Sequence, residues 1–182
     1  MESMIDSTLE FLKLGASGEP KRQVDMSSLV ETIVDEEADK GRRISFEVLE
    51  SSVIEGQPVS LKRAFWNVIG NALKYGEVVS VAVFRENGKS IVHVDDDGPG
   101  IPPDLIERAF EPFYRVEASR SRQTGGTGLG LTIARQILRA HGGDIQLMNR
   151  AEGGLRARIE LPVAEHVIAK APPTRQRDAS AG

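Results

Sequence analysis

Gly125-Gly126-Thr127-Gly128-Leu129-Gly130-Leu131 places four glycines in six residues directly before an apolar series, Leu129, Ile133 and Ile137, with Ala134 and Leu138 alongside. That spacing marks one face of an α-helix. A glycine-rich turn feeding a helix N-terminus is suited to an anion: bare backbone N–H groups can close around it, and the first helical turn adds partial positive charge. Phosphate is the usual anion. No Gly-Lys-Ser/Thr is present, which excludes a Walker loop. A Rossmann turn needs a strand just before it, whereas Ser119-Arg120-Ser121-Arg122-Gln123-Thr124 reads as a loop. The glycine loop of protein kinases lies between strands, and here a helix follows. Taken alone, the stretch would also fit a flexible linker.

The whole chain has 182 residues, 40% hydrophobic and 27% charged, the proportions of one ordinary globular domain with short appendages. A net charge of −4 gives no support to general nucleic-acid binding. With no cysteine there is neither a disulfide nor a thiolate metal site, and His93, His141 and His166 lack zinc-ligand spacing. No apolar run approaches the roughly 18–20 residues needed to cross a bilayer, and no signal peptide is visible.

Along the chain, Met1, Ile5, Leu9 and Leu12 suggest a short amphipathic helix over residues 1–14, ended by Gly15 and Gly18. Such a helix needs something to pack on. Val24-Asp25 is a candidate short strand. Ser27-Ser28 can cap a helix running to about Lys40, with Leu29, Ile33 and Val34 inward and Gly41 as its stop. Ile44–Val48 alternates like a half-buried strand, and Val53-Ile54-Glu55 is a weaker one. Pro58 opens a long helix through Tyr75. Val78–Phe84 and Ser90–Asp95 flank Glu86-Asn87-Gly88-Lys89, a hairpin signal. Residues 101–124 carry little regular pattern, which in a compact domain points to a functional or disordered connection. The glycine-led helix ends at His141-Gly142-Gly143, and Gly143–Met148 and Leu155–Leu161 close the fold as strands. The tail from residue 163 onward is too poor in large apolar groups to hold a fold.

Two further segments carry chemistry. On the Pro58 helix, Asn67, Asn71 and Lys74 share one face at i, i+4 and i+7, followed by Tyr75. A solvated stripe is the plain reading, but Ala64-Phe65-Trp66 and Val68-Ile69 imply that the helix is largely buried. Asp95-Asp96-Asp97-Gly98-Pro99-Gly100-Ile101 then sets three repelling carboxylates at a strand end. One buried Asp can accept a hydrogen bond from an exocyclic amine, and the glycines would let a flat base approach the backbone. A charged turn or a carboxylate metal cluster are the alternatives.

Taken in order, Asn67-x-x-x-Asn71-Ala72-Leu73-Lys74-Tyr75, Asp96-Asp97-Gly98-Pro99-Gly100-Ile101, Phe110-Glu111-Pro112-Phe113-Tyr114-Arg115 and Gly126-Thr127-Gly128-Leu129-Gly130-Leu131 resemble the N, G1, F and G2 boxes. Those boxes mark the catalytic ATP-binding domain of bacterial sensor histidine kinases, in the wider group of gyrase, Hsp90 and MutL. The likeness covers roughly residues 20–162 and is nearest to the osmosensing type. It implies a Bergerat fold: an α/β sandwich with one mixed sheet of about five strands, about three helices on one face, and a mobile ATP lid over Pro102–Thr124.

The resemblance also implies roles. Asn71 would be the Mg²⁺ ligand, Lys74 would contact phosphate, Tyr75 would pack near the nucleotide, and Asp96 would read the adenine amine. Gly98, Gly100 and Ile101 would lie near the base, and Gly126 through Leu131 (Gly126, Thr127, Gly128, Leu129, Gly130, Leu131) would surround the phosphates. Arg115, and less directly Arg120 and Arg122, would approach the γ-phosphate when the lid closes, while Phe110 and Phe113 anchor the lid base. Asn67 is placed among the catalytic residues: the ATPases of the group carry there a Glu that activates water, and an amide cannot, which favours transfer over hydrolysis.

The family's acceptor histidine, followed by an acidic residue, Thr or Asn, and Pro, matches none of the three histidines; His141 reads as structural. The expectation is therefore a catalytic fragment that binds ATP and Mg²⁺. It would donate phosphate to a histidine on a dimerisation domain lying elsewhere, with residues 1–14 the stub of that domain's second helix. A response regulator would be the indirect partner and the full-length protein a homodimer in the bacterial inner membrane. The fragment itself would be cytoplasmic, touching neither membrane nor nucleic acid. Serine kinases of the anti-sigma type, a regulatory nucleotide-binding module and a gyrase-type ATPase are the alternatives.

Overall fold

The computed structural model describes residues 18–115 and 127–164. The helix expected over 1–14, the stretch 116–126, and the chain from 165 onward lie outside the described residues. A short strand β1 (Arg22–Asp25) leads into helix α1 (Met26–Ala38), whose buried face is Met26, Val30, Ile33 and Val34. The cap is not Ser27 or Ser28. Asp25 takes that role, its Oδ1 accepting from the Ser28 amide at 2.8 Å, where a carboxylate also suits the helix dipole.

Strand β2 (Arg43–Val48) and strand β3 (Val53–Gly56) precede helix α2 (Pro58–Tyr75), which carries Pro at its start. Strands β4 (Val78–Glu86) and β5 (Lys89–Asp96) form the expected hairpin. Asn87 and Gly88 take φ of 51° and 75°, the paired positive values of a type I′ turn. Two short 3₁₀ turns, Pro103–Leu105 and Glu107–Phe110, follow. Helix α3 (Gly130–Ala140) and strands β6 (Asp144–Asn149) and β7 (Leu155–Pro162) complete the described chain. Gly142, at φ 77°, provides the left-handed turn after α3.

The main sheet has five strands in the order β2-β4-β5-β7-β6, and β1 and β3 form a separate two-stranded ribbon. The β2–β4 pair is parallel and the other pairs antiparallel. Val81, Val94, Ala157 and Leu147 lie in one cross-strand row, and Val83, Val92, Ile159 and Ile145 in the next. All are buried, and with the inward faces of α1, α2 and α3 they make one core. The helices therefore cover a single face.

The other face is polar. Arg158 pairs with Glu86, Arg156 with Asp95, and the rings of Phe84 and His93 meet edge to face at 4.9 Å. Burial and the Arg156 charge lower the His93 pKa. The chain stays attached beyond β7: the Ala164 amide donates to the Val53 carbonyl at 2.9 Å.

The N-terminus of α2 is held by three groups. Glu19 accepts from the Val59 and Ser60 amides at 2.8 and 3.2 Å, and the Gln57 side chain donates to the Glu19 carbonyl at 2.6 Å. His141 Nε2 accepts from the Gln57 amide at 3.0 Å, while its Nδ1 lies 2.7 Å from the Ile137 carbonyl. That fixes one tautomer, with the proton on Nδ1. His141 is structural, as its sequence setting suggests.

Candidate nucleotide-binding site

The three carboxylates at the end of β5 separate because alternate strand residues face opposite ways. Asp95 turns to the polar face and is met by Arg156 in a two-pronged pair, at 2.7 and 2.6 Å. Asp97 is exposed and ties the strand end to the α2–β4 turn, its Oδ1 accepting from Glu77 and Val78 amides at 2.7 and 2.9 Å. Those amide bonds hold its carboxyl below the ordinary range. Asp96 is left, 5% exposed at the helix-covered side. Its Oδ1 accepts from the Gly98 amide at 2.8 Å and the Leu155 amide at 3.2 Å, while Oδ2 accepts no hydrogen bond among the described residues. Burial pushes its pKa up and the two amides oppose that shift. An aimed carboxylate oxygen in a near-dry position is a specific acceptor for an N–H group.

The polar stripe of α2 leads to the same place. Leu61, Ala64, Phe65, Val68, Ile69 and Ala72 bury the opposite side of the helix, which leaves Asn67, Asn71 and Lys74 half-buried. No described residue hydrogen-bonds the Asn67 or Asn71 carboxamide. The Lys74 ammonium lies 5.2 Å from the centre of the Tyr75 ring, which is 48% exposed. A Cβ built on Gly130, the first residue of α3, would lie 3.5 Å from Asn67 Oδ1. The stripe and the start of α3 are thus neighbours.

The glycines serve the chain's own packing. A Cβ at Gly98 would come within 2.7 Å of the Tyr75 carbonyl oxygen, which brings the end of α2 against the Asp96 turn. Gly128, at φ 71°, would strike the Phe113 backbone at 2.9 Å. Sequence reasoning had these glycines approach a base or a phosphate. What the described residues display is close approach of backbone to backbone, which positions those segments.

Of the two lid-base aromatics, only Phe110 is buried. Its carbonyl accepts from Thr132 Oγ1 at 2.9 Å and its ring lies 4.2 Å from the Arg135 guanidinium. Phe113 is 51% exposed, with φ 64°, and is held through its amide, which donates to the Gly128 carbonyl at 3.0 Å. The anchor expected of its side chain is a main-chain one. Leu129 is in the core, so any contact it makes with a ligand is through its backbone. Ile101 and Leu131 are partly buried against the core. Thr127 is half-buried and Arg115 exposed. Gly126, Arg120 and Arg122 lie outside the described residues.

Sequence reasoning missed the β6–β7 turn. Gly154 packs so tightly on Asp96 that a Cβ there would fall 1.9 Å from the Asp96 carbonyl oxygen. The signal was the pair Gly153-Gly154 between two strands, a pattern that marks close backbone approach.

A protein-family model described as histidine kinase-, DNA gyrase B-, and HSP90-like ATPase matches residues 56–165, which include α2, the Asp96 turn and α3. The chain belongs to this family. Sensor histidine kinase GtrS of Pseudomonas aeruginosa is 37% identical to this ATPase-family domain over 162 residues, 89% of the chain and 33% of GtrS. The chain thus spans about a third of the length of that relative. Among solved structures, full-length ShkA in complex with AMPPNP superposes with a TM-score of 0.74 at 29% identity, covering 89% of this chain and 35% of that one. The histidine kinase domain of the E. coli osmosensor EnvZ superposes at 0.62 with 31% identity, covering 92% and 99%. The mixed sheet with helices on one face is the Bergerat ATP-binding fold, and the domain is of the catalytic, ATP-binding type found in sensor histidine kinases.

Among the described residues no His, Cys, Asp and Glu cluster could hold a metal, and no helix is long and apolar enough to cross a membrane. A single amide oxygen with no hydrogen-bond partner among the described residues, at Asn71, still fits Mg²⁺, which takes one or two protein oxygens and completes its shell with phosphates and water.

Proposed function

We propose that this domain binds Mg-ATP between α2, the Asp96 turn and the start of α3, and donates the γ-phosphoryl group to a histidine on a separate acceptor domain. The observation that carries the reading is Asp96, with one carboxylate oxygen held by two backbone amides and the other open to an adenine amine. Asn71 would hold Mg²⁺ through its amide oxygen. Bound Mg-ATP supplies the phosphoryl group and the neutralisation of its charge. Lys74 adds a cation for the phosphates, and Tyr75 offers a partly exposed ring beside the base. Arg115, which is exposed, would bring its guanidinium to the terminal phosphate. Asn67 contributes no general base, which suits phosphoryl transfer, a reaction governed by positioning and charge. The acceptor imidazole is itself the nucleophile. A response regulator would then receive the phosphate, within a homodimeric, membrane-anchored kinase.

Calorimetry with Mg-ATP should give a Kd in the micromolar-to-millimolar range, and Asp96→Ala or Asn71→Ala should abolish the signal. Unchanged binding in both variants would refute the site. With [γ-³²P]ATP, label should appear on an added acceptor domain and not on this chain alone. Acid-stable phosphoserine would indicate a serine kinase, and steady turnover without acceptor a hydrolysing ATPase.

A further inference from the structure

Directly behind Asp96 stand two residues to which no role has so far been given. Asn149 and Arg150 form the corner where β6 leaves the sheet. The Asn149 amide makes a closed pair with the backbone of Ile101: Nδ2 donates to the carbonyl at 2.6 Å, and Oδ1 accepts from the amide at 2.9 Å. Arg150 Nη1 donates to the Asp96 carbonyl at 2.9 Å, and its Nε lies 3.7 Å from Asp95 Oδ2. Asp96–Ile101 is therefore gripped at both ends by adjacent side chains on one turn, the same turn whose Leu155 amide holds Asp96 Oδ1.

We infer that Asn149 and Arg150 are positioning residues that aim Asp96 and so set selectivity for a purine bearing a 6-amine. A carboxylate accepts from an amine but gains nothing from a purine without one. That difference counts only while the carboxylate is kept from turning away. Two amide donors fix its plane, and both belong to backbone that this corner immobilises. The inference rests on the reading that Asp96 meets the adenine amine.

The test compares Mg-ATP with the triphosphate of purine riboside, which lacks the 6-amine, by calorimetry on the full chain. The wild type should favour ATP by about 10–100-fold, the worth of a hydrogen bond to a charged group. In Arg150→Gln and Asn149→Leu the ratio should collapse to about threefold or less, while the Kd of the purine riboside triphosphate stays put. Arg150→Lys should recover part of the preference. If the corner served stability alone, the melting temperature would fall while the two nucleotides kept their ratio, and the inference would be overturned. An unaltered ratio in both variants overturns it equally. Should the wild type itself fail to prefer ATP, or Asp96→Ala keep the preference, the reading of the site fails instead. Arg150→Met and Asn149→Ala, with the same expected collapse, serve where the first pair does not fold.

Discussion

As the proposed acceptor for the adenine amine, Asp96 has to be ionised in a place that disfavours ionisation. Its folded pKa lies above the 3.8 of an ordinary Asp because of burial. As pH falls from neutral, it takes up a proton before an unfolded chain would, so its own titration favours the fold between its raised value and 3.8. If Asp96 meets the purine amine as proposed, binding requires the carboxylate and is lost as pH falls over that same window. Titrating ADP against pH should show affinity declining as pH falls through the raised value, with a flatter profile in Asp96→Asn; equal profiles would exclude Asp96 from the site. Asp97 and Asp144 have the opposite sign. Val78 and Glu77 amides lower the first; for the second, burial opposes but Arg139, the Ile145 amide and Arg135 prevail. Their contributions hold above 3.8 and vanish only as pH drops through the depressed values. His141→Ala would remove the Nε2 that accepts from the Gln57 amide, at a cost of about 1–3 kcal/mol, read as a lower melting temperature. At this scale the sequence exposed a conflict, three adjacent carboxylates, without its resolution. Arg156 lies far along the chain from Asp95, and local pattern carries no trace of such a pairing.

Helix α3 joins the glycine turn to the lid base. Thr132 holds the Phe110 carbonyl, Arg135 covers the Phe110 ring, and Arg135 also pairs with Glu107 at 2.9 Å and Asp144 at 3.2 Å. Thr132→Val keeps the shape and removes the hydroxyl, which should cost about 1 kcal/mol. Amide exchange across Pro103–Phe110 should accelerate while β6 and β7 keep their protection; uniform acceleration would mean that the turn is not secured locally. The apolar periods of α2 and α3 were plain in the sequence because one face of each meets the core. The lid base was only half legible: two Phe residues three apart look equivalent, yet a positive φ at Phe113 turns its ring outward. The α1 cap was misplaced for a similar reason. Asp25, Ser27 and Ser28 are all good caps, and pairing of β1 with β3 decides where the strand ends.

For the whole molecule, nucleotide binding and stability are linked. If Mg-ATP binds the fold alone, a concentration of about 100 times Kd adds about 2.7 kcal/mol, enough to raise the melting temperature by roughly 5–10 °C for a chain of this size. Scanning calorimetry should record that rise in the wild type and none in Asp96→Ala. A shift retained by the variant would place the ligand elsewhere. The family and the five-stranded mixed sheet were readable from four motifs in order. Strand order was not, because nothing in the pattern of β6 or β7 states which of them lies beside β5. The two-stranded ribbon of β1 and β3 was likewise read only as two weak strands.

That strand order has a consequence for synthesis. β7 is the last strand of this sheet to leave the ribosome, yet it sits between β5 and β6 and supplies the Leu155 amide that holds Asp96. A nascent polypeptide with every earlier segment already translated would still lack one of the two amides that fix the Asp96 carboxylate. On the proposed reading, competence for ATP arrives late, once β7 has been made and placed.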